Sequence, residues 1–304
     1  MSNADLKGVI TASLTPVTAQ FDVDGGRLAA HCRRLLDEGC SFISAFGTTG
    51  EGSSLSTGQK IDGLVAYREA GGPLDKLIPA IMTSKLDEAA RLVAASAEMG
   101  CRAVLVLPPY YYNTPTDDGI LAFFDAMLER AGNPGIDMLL YSIPVFSGVP
   151  FTPSLIDRLI ARFGERIVGV KDSTGSRENA LMLAERYPSL SIFTGDDRVM
   201  PELVTKGGAG MIGGMPNVFA ADACAVYSDP ASEATALKRK RAGQRIEIVD
   251  SNGSLVVLKA AIAAQYGDPD WARVVPPLVG LDPIARADVF AALAGTGYDP
   301  QATD

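Results

Sequence analysis

The sequence predicts an α/β protein, a (β/α)8 TIM barrel with a C-terminal helical extension. Three observations lead there. Short runs of β-type residues recur eight times with helical patterns between them. The runs are almost continuously apolar, as strands are when helices cover both faces of a sheet. No G-x-G-x-x-G follows the first run, which weakens the doubly wound dinucleotide-binding alternative. A chain of 304 residues suits a barrel folded as one unit.

Taken in order, the strand runs are GVITASLT (8–15), FISAFG (42–47), LIPAIM (77–82), AVLVLP (103–108), DMLLYS (137–142), IVGVK (167–171), SIFTG (191–195) and GMIGG (210–214). Helices are expected at GGRLAAHCRRLLDEG, KLDEAARLVAASAEMG, GILAFFDAMLERAG, TPSLIDRLIARFG and RENALMLAERYP. The glycines closing the first three read as helix stops, and Thr152-Pro153 as a helix start. After residue 225 the strand signal fades. PASEATALKRKRAGQRIEIV, SLVVLKAAIAAQYG and PIARADVFAALAG read as helices, so residues 1–225 are assigned to the barrel and 226–304 to the extension.

Composition narrows the function. The formal charge is -9, which argues against nucleic acid and against anionic membrane surfaces. The basic run Lys238-Arg239-Lys240-Arg241 is expected to be a solvated helix face. No apolar run is long enough to span a bilayer. MSNADLKGV has neither the basic nor the apolar region of a secretion signal. Cys32, Cys40, Cys101 and Cys224 are scattered without C-x-x-C spacing, so reduced thiols and a cytoplasmic location are expected. The one histidine, His31, has charged helical neighbours and is expected on the surface. With a single histidine, zinc sites and histidine-based triads are poor expectations.

In such a barrel the active site lies at the C-terminal ends of the strands. The second strand ends in Gly47-Thr48-Thr49-Gly50-Glu51, and the fourth leads into Pro108-Pro109-Tyr110-Tyr111-Tyr112. The fifth ends in Tyr141-Ser142, the sixth in Lys171-Asp172, the seventh in Gly195-Asp196-Asp197 and the eighth in Ile212-Gly213-Gly214. Lys171 is the lysine among these ends. Strict alternation puts Ile167, Gly169 and Lys171 on one face. If that face is the barrel interior, burial favours the neutral amine, the form that attacks a ketone to give a Schiff base. The plain alternative is a lysine reaching out to solvent. Gly47 and Gly50 around two threonines make either a carboxylate cradle of hydroxyl and N–H donors or a tight turn before a helix. Tyr141 either relays protons or packs as a core aromatic.

GTTGE, PPYYYNTP, YSIPVFSG, GVKDSTG and TGDD, in this order, resemble the dihydrodipicolinate synthase / N-acetylneuraminate lyase family. The opening GVITASLTPV and the closing VVLKAAIAAQYG extend the resemblance over nearly the whole chain. It implies a homotetramer, a dimer of dimers, doing class I aldolase chemistry on pyruvate or another 2-keto acid, with no metal and no cofactor. Lys171 becomes the Schiff-base lysine, Thr48 and Thr49 the carboxylate holders, and Tyr141 the acid/base residue. Tyr111, or alternatively Tyr112, would reach a neighbouring subunit's site and complete a relay with Thr48 and Tyr141. Gly47, Gly195, Ile212 and Phe146 would line the substrate pocket.

The departures bear on the second substrate, an aldehyde in this chemistry. Phe146 stands where the synthases of the lysine precursor typically carry an arginine for the second substrate's carboxylate, and a phenyl ring makes no bidentate contact. The sugar-binding positions of the neuraminate lyases match poorly at Asp197-Arg198 and Gly214. The Y-S-x-P-x-x-x-G form also resembles 4-hydroxy-2-oxoglutarate aldolases, and a 2-keto-3-deoxy sugar acid aldolase or dehydratase stays open. Two other classes compete: a keto-acid-binding protein without turnover, and a metal-dependent aldolase using Glu51, Asp172, Asp196 and Asp197. Helix capping explains Asp196-Asp197 more simply than metal binding. A phosphate site at KGGAG or GGMPN, like the metal reading, ranks below the aldolase reading.

Overall fold

The computed structural model describes residues 6–301. Eight parallel strands run β1 (Gly8–Ala12), β2 (Phe42–Ser44), β3 (Ala80–Ile81), β4 (Val104–Val106), β5 (Met138–Ser142), β6 (Ile167–Asp172), β7 (Ser191–Thr194) and β8 (Gly210–Gly213). Their order in the sheet is β2-β1-β8-β7-β6-β5-β4-β3. The two ends approach through a bridge between Ile43 and Leu77, where Ile78 N donates to Ile43 O at 2.8 Å. That brings the sheet nearly to closure as a barrel.

Helices fill the crossovers: α1 (Gly25–Asp37), α2 (Thr57–Glu69), α3 (Leu86–Glu98), α4 (Asp117–Arg130), the short α5 (Pro144–Ser147), α6 (Pro153–Phe163), α7 (Arg177–Arg186) and α8 (Met200–Thr205). After β8 come α9 (Pro216–Ser228), α10 (Ala236–Ser251), α11 (Leu255–Tyr266) and α12 (Pro283–Ala294). Local chemistry sets the ends. The Thr152 side chain accepts from Leu155 N, with Pro153 opening α6. Ser56 and Gln59 form a reciprocal capping box on α2. Gly39 and Gly100 leave α1 and α3 at φ 101° and 80°, a backbone region that a side chain disfavours.

The core has three parts. Ile10, Phe42, Leu105, Leu139 and Phe193 pack inside the barrel. An outer layer, with Val9, Ile43, Val106 and Leu140, meets the helices. The third part joins Leu14 and Val218 to Ile246, Val257, Ile262 and Trp271 of the extension. Each such side chain, fully buried, contributes roughly 1.5–3 kcal/mol, so the extension is held by a core of its own. A buried ion pair adds a directed link: Lys259 on α11 meets Glu51 of the β2 turn, both side chains fully buried. Glu51 also accepts from Val275 N at 2.6 Å, and Lys259 donates to Arg273 O at 2.6 Å.

Several expectations need correcting. The register of β6 shifts against β5 between Met138 and Leu139, so Leu139 pairs with Gly169 rather than Val168. Ile167 therefore packs in the outer layer while Val168 lies inside the barrel. The shared face of Ile167, Gly169 and Lys171 is broken by this bulge, which inserts one residue into the alternation. His31 is 1% exposed, not on the surface. Its Nδ1 is 2.7 Å from the Tyr266 hydroxyl and its Nε2 is 2.9 Å from Asn217 Oδ1. Asn217 also accepts from Leu14 N and donates to Ala12 O and Gly214 O, tying the ends of β1 and β8 together. The basic run is only partly solvated: Lys238 pairs with Asp222, and Arg239 donates to Ser232 O and Thr235 Oγ1. The four cysteines are free thiols, with Cys40 and Cys224 Sγ atoms 4.0 Å apart.

Candidate active site

β5 and β6 are neighbours, and their register sets Tyr141 beside Lys171. Both side chains point into the upper end of the barrel, where Lys171 is 4% exposed. The Lys171 Nζ lies 4.1 Å from the centroid of the Tyr141 ring. Among the described residues Lys171 makes no ion pair. Its amine therefore sits against an aromatic face, over the apolar floor of Leu139, Val168 and Phe193.

The Tyr141 hydroxyl is 3.0 Å from Thr48 Oγ1. Thr48 belongs to the turn after β2, which is bent hard. Phe46 and Glu51 take positive φ values of 60° and 55° without being glycines. Such strain persists only where surrounding contacts hold it. Here Gly52 N donates to Gly47 O at 3.0 Å, Glu51 N donates to Thr48 O at 3.1 Å, and Thr15 Oγ1 donates to Gly50 O at 2.7 Å. The Glu51–Lys259 pair fixes the far end. Among the described residues the backbone N–H groups of Thr48 and Thr49 have no internal acceptor. Thr49 Oγ1 lies 3.0 Å from where a Cβ on Gly214 would sit, so glycine at 214 makes room for it.

Thr48, Thr49, Tyr141, Phe146, Lys171, Gly195 and Ile212 line one open pocket of about 200 Å³. Gly47, expected among the lining residues, is buried and outside the set that lines the pocket. Tyr111 is 79% exposed and Tyr112 83% exposed, their rings edge-to-face at 5.3 Å. Neither reaches the pocket of its own chain.

Other lining residues were not singled out as site residues. Ile246, Val249 and Asp250 come from α10, and Ser254 and Leu258 from the start of α11. The i, i+3 spacing of Ile246 and Val249 marks a buried helix face but not which cavity it borders. Asp197 corrects the capping expectation. Asp196 serves the turn, accepting from Arg198 N at 2.8 Å and binding its guanidinium. Asp197 is instead 7% exposed, in the pocket wall, and its Oδ2 has no hydrogen-bond partner. Burial, with help from Asp196, pushes its carboxyl up to about 7. Among the described residues no group of three or more His, Cys, Asp or Glu is placed to hold a metal ion, and no helix is long and apolar enough to cross a membrane.

A buried amine beside a phenol and a donor-rich turn is suited to making and breaking bonds next to a carbonyl, and similar proteins carry names of that kind. The chain is 34% identical over 291 residues to an uncharacterized DapA-like lyase of Chloroflexus aurantiacus, covering 95% of each. It is 34% identical over 207 residues to 4-hydroxy-tetrahydrodipicolinate synthase 2 of Streptomyces coelicolor, covering 67% of this chain and 66% of that one. The crystal structure of dihydrodipicolinate synthase from Agrobacterium tumefaciens superposes with a TM-score of 0.88 at 29% identity, over 95% of this chain and 99% of that one. This is an enzyme, a lyase of the aldolase type. The model of the dihydrodipicolinate synthetase family matches residues 5–294, and the chain belongs to that family.

Proposed function

We propose that the enzyme is a Schiff-base lyase acting on pyruvate or a related 2-keto acid through an imine on Lys171. The observation that carries this reading is the unpaired, 4% exposed Lys171 amine against the Tyr141 ring. The amine nitrogen attacks the keto carbon, the carbonyl oxygen takes protons and leaves as water, and a protonated imine remains. The imine draws electrons, so the neighbouring carbon can lose a proton or break its bond to an aldehyde carbon. Tyr141, hydrogen-bonded to Thr48, is placed to carry those protons. The free N–H groups and hydroxyls of Thr48 and Thr49 suit the keto-acid carboxylate, and Gly195 and Ile212 leave room beside the amine.

Tyr111, with Tyr112 as the alternative, extends this reading to an assembly. Tyr111, Tyr112, Val145 and Phe146 are large exposed apolar residues at the mouth of the barrel, the kind of surface a second copy covers. We take the working form as a homotetramer in which this tyrosine enters a neighbour's site.

Synthesis of the lysine precursor is a weaker reading. Phe146 lines the pocket where a guanidinium would be needed for a second carboxylate.

Pyruvate with borohydride, followed by peptide mass mapping, tests the proposal. A reduced pyruvyl adduct on Lys171, lost in Lys171→Ala, is expected. A folded protein giving no adduct with several 2-keto acids would overturn it.

A further inference from the structure

The pocket lining is of mixed chemistry. Thr48, Thr49, Tyr141 and Lys171 supply its polar groups. Ile143, Phe146, Ile246, Val249 and Leu258 supply an apolar wall. Two carboxylates interrupt that wall, Asp197 deep within it and Asp250 at the rim. Lys171 is the one cationic side chain among the lining residues, and the imine proposed above occupies it.

Asp197 is the informative group. Its Oδ2 has no hydrogen-bond partner, and the residue borders both this pocket and an adjoining cavity lined by Met200, Met215 and Phe219. A buried oxygen without a partner is costly, and a ligand group that meets it removes the cost. The charged groups around it are Asp196 and Arg198 on its own loop, Lys171 on β6, Asp222 on α9, and Lys238, Arg245 and Asp250 on α10. Lys238 and Arg245 are held by Asp222, which leaves Arg198 as the remaining cation besides Lys171. Its guanidinium is taken by both oxygens of Asp196, and it does not line the pocket.

We infer that the second substrate is an uncharged aldehyde with a largely apolar body and one hydroxyl that meets Asp197, and that aldehydes bearing a carboxylate or phosphate are excluded. This rests on the Schiff-base reading. In the condensing direction, carbon 3 of the pyruvyl enamine attacks the aldehyde carbon. The aldehyde oxygen takes a proton, and water releases a 4-hydroxy-2-keto acid and the free amine. Cleavage is the reverse. Beyond Lys171, an anion would meet Asp250, the buried Asp197 and apolar wall, with no lining cation to pair it.

The test is a panel of aldehydes with pyruvate: isovaleraldehyde, benzaldehyde, 3-hydroxybenzaldehyde, succinic semialdehyde and glyceraldehyde 3-phosphate, each scored by kcat/KM for carbon–carbon bond formation. Borohydride trapping of pyruvate on Lys171 is run alongside. The neutral aldehydes should exceed both anionic ones by about 100-fold or more. Asp197→Asn should lower kcat/KM for 3-hydroxybenzaldehyde about 10-fold relative to benzaldehyde, with trapping of pyruvate unchanged. Arg198→Ala should leave the ranking as it is. Normal trapping with equal or better use of the anionic aldehydes, or with no neutral aldehyde turned over, overturns this inference alone. Absence of the adduct overturns both it and the Schiff-base reading. Should Asp197→Asn fail to fold, the wild-type panel decides the matter by itself.

Discussion

The Tyr141 hydroxyl stands 3.0 Å from Thr48 Oγ1, while the ring of the same tyrosine lies 4.1 Å from the Lys171 amine. One side chain thus borders the amine with its face and holds a hydrogen bond to the β2 turn with its hydroxyl.

Tyr141→Phe separates these two functions. The ring packing is kept, so thermal unfolding should shift little. The proton route is lost, so kcat should fall roughly 10²–10³-fold. Turnover with pyruvate, compared with the rate of borohydride trapping, checks this; unchanged turnover would remove Tyr141 from the chemistry.

Phe146→Arg should change what the pocket accepts. The side chain lies on α5 at the open mouth, 70% exposed, so the longer residue fits without repacking. A guanidinium there pairs bidentately with a carboxylate. Activity with succinic semialdehyde should rise by about 10-fold or more while benzaldehyde loses ground, measured as the ratio of the two kcat/KM values.

The Glu51–Lys259 pair should behave as a buried unit. Removing one partner, in Lys259→Met or Glu51→Gln, leaves the other charge or its hydrogen bonds uncompensated and should cost roughly 3–5 kcal/mol. Burial already lowers the Lys259 pKa against the pull of Glu51. The double variant should recover a large part of the loss. Urea unfolding of the four proteins gives the coupling, and strictly additive losses would deny it.

His31 should make the fold acid-sensitive. Burial lowers its pKa from 6.5 to about 3, so between those values the unfolded chain binds a proton that the folded one does not. Stability from this residue is complete above pH 6.5 and falls progressively as the pH drops toward 3. At pH 4 the loss is about 3 kcal/mol. His31→Gln should show a shallower loss between pH 6.5 and 4 in parallel urea titrations.

The barrel was legible because its signals are local. Apolar runs, capping residues such as Thr152 and stop glycines such as Gly39 act within a few positions of themselves. The strand ends likewise brought Thr48, Tyr141 and Lys171 to one mouth, because a parallel barrel gathers all its C-terminal ends there. What stayed hidden depends on distant partners. Ile167 departs from alternation because β6 carries one extra residue against β5. His31 is buried because Asn217 and Tyr266, far along the chain, satisfy both ring nitrogens. Asp197 differs from its neighbour Asp196 only through the walls that enclose it. The closeness of Cys40 and Cys224 has no trace in their spacing.

Much of the outer pocket wall is contributed by α10 and α11, which take no part in the strand ladder. Part of the pocket wall is therefore written in a different stretch of the gene from the strand ends. Drift at Ile246, Val249 or Leu258 alters the space offered to a substrate while the strand ends that carry Tyr141 and Lys171 stay untouched. A duplicated copy of such a gene can diverge in diet through its tail, and a breeder of new specificities would do well to randomise there as well as at Phe146.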